Sequence, residues 1–223
     1  MIIRLFLSLV AAVFLITPAG LLSAAEGAGG SEPATYEQLQ KLDMERKWQD
    51  IVAILNEKDL TAIADAMGQP ADVLYALRGR ANSALKLGPE AEADYRAAIE
   101  MAPKPAGYWA ALGMNYRDNL KNPSAAVEAF QQSIAISFQI GNRLGWQPIS
   151  STIDAAGVLC DEGKYDEALS MLNHYSEAEV ASMAPLWQVN VLRTLGKIYL
   201  AQGREKEALD CFQKALEIEA VPK

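Results

Sequence analysis

Residues 109–130 read WAALGMNYRDNLKNPSAAVEAF. Trp109, Leu112, Gly113 and Tyr116 recur at i, i+3, i+4 and i+7, which puts all four on one face of a helix. That face has to meet a second helix. Pro123 and Ser124 close the DNLKN turn with a helix-start signal, and Ala126 and Phe130 open another amphipathic run. The stretch is a helical hairpin.

The spacing W-x2-L-G-x2-Y followed by A-x3-F resembles the tetratricopeptide repeat (TPR), and a repeat has to recur. Copies start at residues 72, 106, 149 and 189, with spacings of 34, 43 and 40. The copy over 72–105 keeps Tyr75, Gly79, Ala91, Tyr95, Ala98 and Pro103, with Arg78 and Asn82 where the pattern has Leu and Tyr. The copy over 106–140 has a turn one residue longer than the pattern, and its second helix runs through Ile134 and Ile136 to a Gly141-Asn142 stop. Ala156, Leu159, Gly163, Ala168 and Leu172 carry the copy over 149–182; Leu195, Gly196, Tyr199, Ala208 and Phe212 carry the one over 189–222. Ser176 to Pro185 reads as a connector or short helix. Residues 35–71 read as a degenerate hairpin plus a short helix: Thr35 and Gln38 make a capping box, Arg46 to Leu55 aligns with Gly163 to Leu172, and Gly68 closes Leu60 to Met67. In the turn of the 72–105 copy, Gly88 is expected in the left-handed conformation and Pro89 in the first turn of the next helix.

The resemblance implies an all-α, TPR-type α-solenoid of stacked antiparallel helix hairpins, a right-handed superhelix whose first helices line a concave groove. Stacking is needed because one hairpin cannot bury both its faces. Gly113 and Gly196, with Ala126 and Ala208 on the partner helices, are read as small because two backbones approach closely there. Gly113→Leu is expected to disorder the central repeat.

With 223 residues and 51% hydrophobic content, the chain can build a substantial core. The 20 Lys and Arg against 28 Asp and Glu argue against a nucleic-acid partner, because phosphate recognition relies on basic residues. Residues 1–25 follow signal-peptide grammar: Arg4, an apolar run from Leu5 to Ile16, a Pro18-Ala19-Gly20 break, then Ser23, Ala24 and Ala25. Cleavage is expected after Ala25, giving a periplasmic or secreted bacterial protein with no membrane span; the alternative is retention as an anchor. Pro18 and Gly20 cut the run short of the ~20 apolar residues that a spanning helix needs. Residues 26–34 read as a flexible linker. Cys160 and Cys211 can be free or oxidised, although stacking disfavours a bridge between them.

No catalytic, cofactor or metal motif is present, so a non-enzyme without cofactors is expected. His174 with Glu177 is too few groups for zinc, and the Asp161-Glu162 and Glu177-Glu179 pairs read as solvated charge. The resemblance places four residues of each first helix on the groove, Ala110, Ile153, Gly157 and Cys160 among them, and the partner-binding candidates are Arg80, Met114, Arg117, Arg193 and Lys197. The four cations among them would form a stripe for an acidic or C-terminal peptide; the plainer reading is ordinary surface charge. Asn115 does not fall where carboxylate-clamping relatives place their asparagine. The expected function is therefore a non-catalytic protein- or peptide-binding adaptor or scaffold in the cell envelope. The alternative is an assembly protein that self-associates, as a possible homo-oligomer, or docks a partner through an uncapped last repeat presenting Leu209, Leu216 and Ile218.

Overall fold

The computed structural model describes residues 34–57, 59–102 and 104–220. The expected signal segment, most of the linker and Pro103 lie outside the described residues. Those described form twelve α-helices and no strand. Four helix pairs dominate: α4 (Ala71–Ala84) with α5 (Gly88–Met101), α6 (Ala106–Asp118) with α7 (Pro123–Gln139), α8 (Trp146–Asp161) with α9 (Tyr165–Leu172), and α11 (Pro185–Ala201) with α12 (Glu205–Glu219). Ahead of them come α1 (Tyr36–Met44), α2 (Trp48–Ile54) and α3 (Thr61–Met67), and α10 (Glu177–Ser182) lies between α9 and α11. Each second helix of the first three pairs packs on the first helix of the next, so the hairpins stack in chain order. The described helices from α1 onward build an all-α solenoid of stacked antiparallel hairpins.

The five turns inside helix hairpins close in one way, as do the ends of α3 and α7 at Gly68 and Gly141. The residue at the turn takes a left-handed backbone in Arg46, Lys86, Lys121, Gly163 and Gly203. The next amide then donates back across the helix end: Lys47 to Leu42, Leu87 to Asn82, Asn122 to Tyr116, Lys164 to Leu159 and Arg204 to Tyr199, at 2.8–2.9 Å. The bond from Asn122 spans one residue more than the others, because that turn carries an extra residue. Gly88 does not hold the left-handed position expected of it; Lys86 does, at φ 66°. Gly88 is the first residue of α5, and a Cβ there would lie 2.8 Å from Leu120 Cδ2. Its smallness admits the neighbouring turn, and its carbonyl accepts a 2.8 Å bond from Asn115 Nδ2.

The glycines at the helix crossings also act differently from expectation. A Cβ on Gly113 would lie 2.8 Å from the Phe130 ring, and one on Gly196 would lie 2.6 Å from the Phe212 ring. The space is filled by an aromatic face seated on bare backbone, and the nearest atoms are ring carbons, not a partner backbone. Gly79 repeats this with Tyr95 at 3.1 Å. Where the chain has Ala156, the corresponding partner is the smaller Leu172, and both are buried.

The apolar core forms two clusters. One runs from Leu39 to Ala81 and Ala98; the other runs from Ala91 and Tyr95 to Ile198. They part at the α4–α5 hairpin, where Arg78 and Asn82 replace the apolar pattern. Asp94 satisfies both: Arg78 Nε and Nη2 donate to it at 2.6–3.0 Å, and Asn82 Nδ2 donates at 2.9 Å. Arg78 Nη1 also donates to the Leu55 carbonyl at 2.6 Å and to that of Glu57, pinning the chain that leaves α2.

Candidate functional site

The first helices α4, α6, α8 and α11 are neighbours in that order and form one continuous face. A Cβ added at Gly107 would lie 3.8 Å from Gln147 Oε1, where α6 and α8 run side by side. Helices α8 and α11 start at Trp146 and Pro185, about a turn before the repeat starts at 149 and 189. Trp146 and Leu186 stand exposed in those extra turns.

All four cations expected on this face lie on these helices, and three are already spent. Arg80 pairs with Asp43 of α1. Arg117 donates to Asp154 of α8 at 2.5 Å and to Asp118 at 2.7 Å, and these carboxylates hold its guanidinium protonated far above any working pH. Arg193 pairs with Glu219 of α12 at 2.9 Å. Lys197 is different: among the described residues its ammonium has no carboxylate within ion-pair distance. Met114 is exposed, whereas Ala110, one turn before it, is buried.

Between α8 and α11 the face deepens into a cleft of about 260 Å³. Its floor is Ile153, Val158 and Ile198; its rim is the Arg117–Asp154 ion pair, Asp161, Thr194 and Lys197. Gly157 lies in the floor, and a Cβ added there would meet nothing within 4 Å. Cys160 also lines it, half-buried and free. Burial pushes its thiol upward, with Asp161 adding to the shift and Lys197 opposing it. At neutral pH the group is a thiol, weakly nucleophilic and able to pack as a small wall. Cys211 is likewise free.

At the far end of the solenoid, Leu209 and Leu216 are 57% and 61% exposed, while Ile218 is half-buried. His174 is exposed; its carbonyl accepts from Arg143, and its ring lies edge-on to Phe138. Glu179 is no loose surface charge. It caps α10 through Ser176 and accepts from Arg143 at 2.7 Å. Among the described residues, no group of three or more His, Cys, Asp or Glu is placed to hold a metal, and no helix is long and apolar enough to cross a membrane.

Residues 106–140 and 149–218 match two models of the family described as tetratricopeptide repeat. The chain is a TPR protein. No curated protein sequence matches it. Among solved structures it is similar to BtubC (BKLC) from P. vanneervenii, with TM-score 0.65 and 16% identity over 83% of this chain and 80% of that one. A putative kinesin light chain of Podosopora anserina with nearly identical TPR-like repeats gives TM-score 0.65 and 19% identity, over 82% and 92%. YrrB, described as a TPR protein with an unusual peptide-binding site, gives 0.57 and 18% over 81% and 82%. At these identities the likeness is one of fold.

TPR spacing located the first helix of each hairpin but not the carboxylates that neutralise its cations. Asp154 is the clearest omission. It stands 37 residues after Arg117, about one repeat later, so a search for acids offset by a repeat from each groove cation would have found it. Asp43, 37 residues before Arg80, obeys the same rule.

Proposed function

We propose that this TPR protein is a non-catalytic adaptor that takes a segment of a partner protein along its concave face. The observation that carries this is the α8–α11 cleft, an open apolar floor beside Lys197, the expected groove cation that has no ion pair among the described residues. TPR proteins are in general adaptors without catalysis, and the half-buried thiol of that cleft is kept protonated by burial, which fits the same reading. A broad attraction for acidic segments is weakened by the carboxylates already bound to Arg80, Arg117 and Arg193. Any preference for acid would centre on Lys197.

The envelope setting rests on residues 1–25. Protein recovered from the envelope fraction should begin at Glu26; an intact Met1 on cytoplasmic protein would remove that part of the reading.

A photo-crosslinking residue installed at Met114, and separately at Leu209, tests the binding face. Adducts to another protein from Met114 support the groove. Adducts from Leu209 alone would favour the second reading, in which the exposed Leu209 and Leu216 dock another copy or a partner.

A further inference from the structure

Resting on the groove reading, we infer that the cleft centred on Gly157 is a single-side-chain subsite: it seats one apolar residue of an extended partner segment, with a neighbouring side-chain carboxylate bound by Lys197.

Three observations lead there. The cleft, at about 260 Å³, is below the usual range for a small-molecule or cofactor pocket, and its size suits one side chain. Ile153, Val158 and Ile198 give it an apolar floor, and the missing side chain of Gly157 opens that floor to solvent. Gly157 stands in mid-α8, where glycine costs about 1 kcal/mol relative to alanine, and it relieves no steric conflict. By contrast, Gly113 and Gly196 each seat a phenylalanine ring.

The electrostatics narrow the occupant further. Arg117 is held by Asp154 and Asp118, so Lys197 is the rim cation left to a ligand. Lys197 offers a single point charge with no Asn or Gln beside it in the cleft lining, which suits one carboxylate. Asp161, on the same rim and outside the Arg117–Asp154 ion pair, repels a run of acids. The fitting segment has one apolar residue beside one acidic residue, with no second acid nearby.

The test is selection of a random-peptide phage library, displayed without free C-termini, on the full chain. Affinities of the recovered peptides are then measured by fluorescence anisotropy on Gly157→Leu, Lys197→Glu and Met114→Ala. Enriched peptides should share an apolar–acidic pair. Gly157→Leu should weaken binding about tenfold or more by filling the floor, without lowering the melting temperature, because its Cβ enters open space and leucine is the better helix former. Lys197→Glu should also weaken binding, and exchanging the peptide's acid for lysine should restore it. Peptides without a common acid, or affinities unmoved by both variants, overturn the subsite. If Met114→Ala alone weakens binding, the groove stands and this subsite falls. If no peptide is enriched, both fall.

Discussion

The α4–α5 and α6–α7 hairpins share one geometry and fill it with opposite chemistry. Where α6–α7 places Leu112, Tyr116 and Ala129, the earlier hairpin places Arg78, Asn82 and Asp94, and both sets are largely withdrawn from water. The crossing stays alike, with Gly79 against Tyr95 and Gly113 against Phe130. The fold therefore demands volume and satisfied polar atoms at these sites, and it accepts an ionic filling if the filling is complete. The ionic version also reaches outward. Leu112 can only pack, whereas Arg78 holds the Leu55 and Glu57 carbonyls and so anchors the chain between α2 and α3.

The largest break in this comparison should come from Asp94→Ala, which strands a buried guanidinium and the Asn82 amide. A loss of about 3–5 kcal/mol is expected, seen as a lower urea midpoint and faster hydrogen exchange in α1 to α5. The triple change Arg78→Leu, Asn82→Tyr and Asp94→Ala imports the chemistry of the next hairpin and should recover most of that loss. If it is as unstable as Asp94→Ala, the hold on the Leu55 and Glu57 carbonyls outweighs the ion pair.

A smaller effect separates the glycines. Gly113→Ala and Gly196→Ala drive a methyl group into a phenylalanine ring and should each cost about 1–3 kcal/mol by thermal or urea melting. Adding Phe130→Leu to Gly113→Ala copies the Ala156 and Leu172 combination and should restore part of the loss. Gly157→Ala should instead stabilise the chain, by at most about 1 kcal/mol. Equal costs at residues 113 and 157 would remove the distinction between packing glycines and a groove glycine.

Hairpins and their succession could be read from the sequence because packing residues recur at helical spacing and turns are local. The all-helical TPR solenoid followed from that recurrence alone. Arg78 and Asn82 were visible as departures, but their common partner was not, since Asp94 lies across the hairpin on a face that local periodicity does not pair with them. Gly88 was misassigned because left-handed turns and close approach both favour glycine, and only the neighbouring Leu120 distinguishes them. The cations on the first helices were visible in sequence; the neutralisation of Arg80 and Arg117 depends on contacts between repeats.

The smallest expected effect concerns an ion pair at the surface, the counterpart of Arg78–Asp94. Arg143 lies over the Phe138 and Tyr175 rings and binds Glu179, which also accepts from the Ser176 amide and hydroxyl. The bond from Arg143, followed by those from Ser176, holds the Glu179 carboxyl down at about 2 against an ordinary value of 4.5. Because the folded value is depressed, its stabilisation is present in full above the unfolded value and is lost as pH falls through the range from 4.5 to about 2. Acid should therefore loosen α10 before the stacked hairpins, seen as an early loss of amide protection at Val180 and Met183, whose amides close that helix. Glu179→Gln should abolish the acid step while leaving protection in α6 and α7 unchanged. A step that persists in that variant would assign the acid sensitivity to another carboxylate and leave Glu179 as a cap alone.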